Sequence, residues 1–184
     1  MKWWDAAILH LKHPLQSPRM WDLRRIFKDL LDPDRRKNVL ASFWRHGDAQ
    51  SRALVTAQLA RSLHFRDETL KKMPLEKKAE LLGSRVGAHE FEQFLEMALM
   101  QYHTHEQNEM LGAFLDLWNI PHVNGSIEVD DYKAPAIGQV RDAVHQLESR
   151  YDKRDIALYL ATAGLLMGDE WRASTWPVAD ELTA

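Results

Sequence analysis

Apolar positions recur at intervals of three and four along most of the chain, the spacing of helices that each bury one face. The clearest run lies between His89 and Trp118. Phe91, Phe94, Leu95, Ala98 and Tyr102 share one face, while Glu90, Glu92, Glu96 and Gln101 fall mostly elsewhere. The stripe lapses across His103 to Glu109 and resumes as Leu111, Phe114, Leu115 and Trp118. Thr104 followed by Gln107 fits a capping box. The pattern therefore predicts two helices meeting near Thr104, or one helix kinked there.

The flanks carry the same punctuation. Trp4, Ala7, Ile8 and Leu11 predict a short helix over Lys2 to Lys12, ended by Pro14. Ser17-Pro18 and Asp32-Pro33 read as a capping residue followed by proline in the first turn. Met20, Leu23, Ile26, Phe27, Leu30 and Leu31 form the stripe after the first, and Val39, Leu40, Phe43 and Trp44 that after the second. Gly47 is a stop and Asp48 a new cap before Leu54, Val55, Leu59 and Leu63. Short segments follow over Asp67 to Met73 and Pro74 to Gly83.

Beyond the central stretch, Asn119 to Lys133 loses the helical period. Asn124-Gly125 favours a tight turn with positive φ. Val123 opposite Ile127 and Val129 makes either a small hairpin or, as the commoner outcome, a plain loop. Pro135 then opens a helix carrying Ile137, Val140, Val144, Leu147 and Tyr151. A last strong stripe of Ile156, Tyr159, Leu160, Ala163 and Leu166 starts near Asp152 or Asp155 and stops at Gly168. The segment from Asp169 to Ala184 is mixed, and Pro177 is expected to limit its order. The fold class expected is all-α: a single compact domain of about eight helices, with a short hairpin or loop at 119–133.

Composition narrows this picture. With 184 residues, 45% of them hydrophobic, the chain suits one domain with a sizeable core. Seven tryptophans, among them Trp3, Trp4, Trp171 and Trp176, predict ends that dock through buried indoles. The absence of cysteine excludes disulfides and thiolate metal sites and agrees with a reducing, cytoplasmic setting. No run of eighteen apolar residues predicts a membrane helix, and the first residues lack signal-peptide features. Charge is uneven. Residues 1–85 hold 18 Lys+Arg against 10 Asp+Glu, and residues 86–184 hold 6 against 17. A basic half and an acidic half that pack together would partly neutralise each other.

Three stretches carry candidate chemistry. The run from Thr56 to Met73 resembles a helix-turn-helix, because Leu59, Ala60, Leu63, Phe65, Leu70 and Met73 fall near the apolar spacings of that motif. The resemblance implies phosphate contacts from Arg66, Lys71 and Lys72. It departs at the turn, where His64 stands in place of the usual glycine, and at Asp67 and Glu68, which face phosphates unfavourably.

The second stretch is His103, His105, Glu106 and Glu109. His105 and Glu109 are four apart and His103 and Glu106 three apart, spacings that can present imidazole and carboxylate together to a divalent metal. No His-Glu-x-x-His or Glu-x-x-His motif accompanies them. The third stretch is the loop Asn119 to Ser126, followed by Glu128, Asp130 and Asp131, which suits recognition of a basic partner protein. Catalytic signatures are missing: no glycine-flanked serine elbow and no phosphate-cradling Walker loop. Gly83-Ser84-Arg85-Val86-Gly87 reads as a connector. The expectation is a non-catalytic helical binding or scaffold module with a protein partner and no cofactor. The alternatives are a DNA-binding regulator working through residues 56–73 and a His/Glu metal-binding helical protein.

Overall fold

The computed structural model describes residues 21–127 and 132–184. The expected helix over Lys2 to Lys12, the Ser17-Pro18 cap, Trp3, Trp4, Met20, and the run Glu128, Val129, Asp130 and Asp131 lie outside the described residues. Helix accounts for 75% of the residues, which fixes the class as all-α. The described residues form ten α-helices and one two-stranded hairpin. The chain divides into two compact units, one spanning Leu23–Glu106 and the other Gln107–Ala184, with Trp21 and Asp22 grouped with the second.

In the first unit, α1 (Leu23–Arg25) widens at once into a π-helix, Ile26–Leu30. The Arg36 side chain closes that wide turn, donating to the carbonyls of Phe27 and Leu31 at 2.9 and 3.1 Å. Helix α2 (Pro33–His46) starts where Asp32 accepts the Arg35 amide at 2.8 Å, with proline in the first turn. Helix α3 (Ala49–Leu63) starts the same way, with Asp48 accepting the Ser51 amide. The short α4 (Asp67–Lys72) and α5 (Leu75–Gly83) follow. A 3-10 turn, His89–Phe91, leads into α6 (Glu92–Gln101), which ends in a second π-turn, Tyr102–Glu106. Helix α2 packs against both α5 and α6. Its buried face of Val39, Leu40 and Phe43 meets Phe94 and its neighbours, with the Phe43 and Phe94 rings edge to face at 6.0 Å.

The capping box expected from Thr104 and Gln107 does not form. The Thr104 hydroxyl instead donates to the Met100 carbonyl at 2.8 Å, one turn back. That bond offers a backbone acceptor a side-chain donor just where the π-turn opens the ladder.

The second unit comprises α7 (Asn108–Leu117), β1 (His122–Val123), β2 (Ser126–Ile127), α8 (Ile137–Leu147), α9 (Lys153–Leu166) and α10 (Asp169–Thr183). Its centre is α9, where Ile156 to Gly164 are all buried. A segment reading IALYLATAG has apolar or small side chains on nearly every face, so it can be covered on all sides. Phe114, Trp118, Tyr159 and Trp171 form an aromatic cluster with centroid separations of 4.9 to 6.2 Å. Three of these contacts are tilted or edge to face, arrangements that aromatic pairs favour, and Trp118 and Tyr159 are stacked at 18°.

Pro177 does not disorder the last segment. It sits exposed inside α10, which runs through it. Proline costs a helix about 3 kcal/mol, a loss that burial of Trp171, Trp176 and Val178 on the same helix exceeds. The Ser174 and Thr175 hydroxyls also donate to the Trp171 carbonyl. Among the described residues, no helix is long and apolar enough to cross a membrane.

Candidate functional site

Of the two outcomes open for Asn119 to Lys133, a plain loop or a small hairpin, the structure has the hairpin. Asn124 and Gly125 both take positive φ, 51° and 80°, which matches the twist of a two-residue turn. His122 pairs with Ile127, and Val123 with Ser126. Ile127 is buried and fastens the second strand.

The hairpin lies across α7 because two glycines let it. A Cβ at Gly112 would stand 3.2 Å from the His122 ring, and a Cβ at Gly125 would stand 3.0 Å from the Leu111 side chain. Both separations are tighter than ordinary packing. His122 is then held at both nitrogens. The Gly125 amide donates to Nδ1 at 3.1 Å, so Nδ1 carries no proton. Nε2 therefore carries it and donates to Asp116 Oδ1 at 3.1 Å. The pairing of imidazole and carboxylate looks like an acid–base dyad. With both ring nitrogens engaged, the imidazole ties the turn to α7.

Beside this hairpin opens a solvent-facing cleft of about 390 Å³. Its floor is one face of α7: Glu109, Gly112, Ala113 and Asp116, at the three-and-four spacing of a single stripe. His122, Asn124 and Gly125 form one wall, and Arg150 and Tyr151, between α8 and α9, form the other. The Arg150 guanidinium lies 5.3 Å over the Tyr151 ring and donates to its hydroxyl at 3.4 Å. The Asp116 side chain is 77% exposed although one oxygen holds His122, so its second oxygen faces solvent.

The residues expected to bind metal are dispersed. His103 is buried, and burial pushes its imidazole down to about 3, so it stays neutral. His105 is exposed and stacks on His46 at 4.3 Å; burial and then the His46 charge lower its pKa, with Glu106 opposing. Glu106 accepts from Arg45 Nη1 at 2.8 Å and lies 3.7 Å from His46 Nε2. Glu109 is exposed on the cleft floor. Among the described residues, no three His, Asp or Glu side chains come together as a metal-binding group.

The helical pair α3–α4 does turn at His64, which takes the left-handed conformation at φ 55°, where glycine is usual. Leu59, Ala60 and Leu70 are buried, but Phe65 stays 43% exposed. Helix α4 has only six residues and opens with Asp67 and Glu68. Lys71 is engaged by Glu68 at 2.8 Å, while Arg66 and Lys72 are exposed.

The Asn124-Gly125 turn and Glu109 stand out in the sequence, whereas Gly112, Asp116, Arg150 and Tyr151 do not. The signal for α7 was present: a polar and small face, four residues at helical spacing, opposite the apolar stripe. Nothing in the sequence signals that Arg150 and Tyr151 come to the same place. Comparison with known proteins returns no match, whether with family models, curated proteins or solved structures.

Proposed function

We propose that the chain is a non-catalytic helical binding module that meets a protein partner at the cleft beside the hairpin. The observation carrying this reading is the cleft itself. It is concave, of ligand-binding size, and lined by polar groups on a rigid helix and an immobilised turn. Catalysis is not the better reading, because the one imidazole in the cleft has both nitrogens engaged. The lack of cysteine suits a cytoplasmic setting.

The same lack makes the test clean. Asn124→Cys places a single thiol on the cleft rim, and Lys72→Cys places one on α4. Each is coupled to a benzophenone maleimide and irradiated in extract of the source cell. The expected result is a discrete cross-linked protein from the cleft position only, lost when Ala113→Trp fills the cleft floor. Equal labelling from both positions, or none from the cleft, defeats the proposal.

A further inference from the structure

We infer that the cleft takes a basic peptide segment, with one lysine or arginine head held between Glu109 and Asp116. This rests on the binding-module reading above and adds the chemistry of the partner. The two carboxylates are seven residues apart on α7, so they stand about 10 Å apart along its axis. Between them, Gly112 is covered by the His122 ring, and the small Ala113 leaves the rest of the floor open to an incoming side chain.

Among the described residues, neither carboxylate pairs with a lysine or arginine. Glu109 is exposed and makes no ion pair among the described residues. Asp116 is bonded to His122, whose Nε2–H is that of a neutral tautomer because Nδ1 accepts from Gly125. The sequence of this part of the chain is acidic as a whole: residues 107–184 hold 6 Lys+Arg against 13 Asp+Glu. Such a field raises the local concentration of cationic segments and speeds their encounter. Arg150 lines the same cleft, and its N–H groups beyond the one bonded to Tyr151 can donate to the carbonyls of a bound backbone. A guanidinium or ammonium head placed on the floor makes charge-assisted hydrogen bonds with whichever carboxylate it reaches.

The test uses the full chain labelled with ¹⁵N and capped hexapeptides. One peptide has two central arginines; its partners have two glutamines or two glutamates there; free arginine is a fourth arm. The glycine amides of Gly112 and Gly125 report the cleft, and those of Gly47 and Gly83 report the other unit. The arginine peptide should shift Gly112 and Gly125 and leave Gly47 and Gly83 in place. Glu109→Gln with Asp116→Asn should weaken that binding at least tenfold. Asparagine can still accept from His122, so unchanged shifts at Gly47 and Gly83 and an intact Gly125 signal confirm that the variant is folded. If only the glutamine or glutamate peptide moves the cleft signals, this inference falls while the binding module stands. If free arginine binds as tightly as the peptide, the occupant is a free cation and the inference falls likewise. If no peptide moves them, the inference falls, and the cross-linking result decides the module separately.

Discussion

Two helical glycines should respond in opposite directions to the same substitution. Gly164 lies in α9 and Gly138 in α8, and in a bare helix alanine is preferred to glycine by about 1 kcal/mol at either place. At Gly138 nothing lies within 4 Å of a new Cβ, so Gly138→Ala should stabilise by about 0.5–1 kcal/mol. At Gly164 the methyl would meet Trp176 Nε1 at 2.3 Å, Trp176 Cδ1 at 2.4 Å and Thr175 Oγ1 at 2.7 Å. These atoms cannot give way cheaply, because Trp176 is buried and its Nε1 donates to the Ala161 carbonyl at 3.1 Å. Overpacking costs about 1–3 kcal/mol, and orphaning the indole donor adds about 1–3. After the propensity gain, Gly164→Ala should lose about 3 kcal/mol, within a range of about 1–5. The assay is urea unfolding followed by tryptophan fluorescence. With a slope of about 2 kcal/mol per molar, the midpoint should fall by about 1.5 M for Gly164→Ala and rise slightly for Gly138→Ala. A neutral or stabilising Gly164→Ala would mean that α9 and α10 do not approach as closely as described.

Other perturbations follow from the same packing and titration arguments. Phe114→Ala empties a fully buried site against Trp118 and Tyr159 and should cost about 3–5 kcal/mol; a loss under about 1 in denaturant melts contradicts that burial. Glu96 is pushed up to about 7 by burial and then by Glu92, from an unfolded value of 4.5. Its contribution to stability is therefore complete below 4.5 and is lost as pH rises through 7. The advantage of wild type over Glu96→Gln should shrink with rising pH across that window, by up to about 1.4 kcal/mol per unit, and a flat difference overturns the assignment. His103 has the opposite sign: its folded value near 3 lies below the unfolded 6.5, so stability is present above 6.5 and is lost as pH falls toward 3. His103→Gln should flatten that acid limb, and an unchanged limb argues against neutral burial. Gly112→Ala should push the His122 ring off α7 and alter the Gly125 amide resonance, whereas an unmoved resonance means that the hairpin is fixed elsewhere. Duplex DNA at low salt should not retain the protein, since Lys71 is engaged by Glu68; retention that weakens in Lys71→Ala with Lys72→Ala would revive that alternative.

The all-α class, the Asp32 and Asp48 caps and the core positions Phe94, Phe114, Trp118, Val140, Leu147 and Leu160 were legible in the sequence. They depend on neighbours within one or two turns, and such local rules leave a periodic trace. The turn at Asn124-Gly125 was legible for the same reason, because its dihedrals follow from those two residue types. Tertiary structure decided what local rules do not reach. Thr104 looked like a helix start, yet its hydroxyl found the Met100 carbonyl inside a π-turn. Pro177 looked like a breaker, yet the packing of Trp171 and Trp176 carries α10 through it. His103 and His105 are neighbours in sequence, but one is buried and the other exposed. The cleft is the plainest case. Arg150 and Tyr151 are some forty residues from Glu109, and only the packing of α7, α8 and α9 brings them to one place. Sequence spacing encodes which face of a helix is polar; which distant side chain comes to stand opposite that face depends on burial summed over a whole unit.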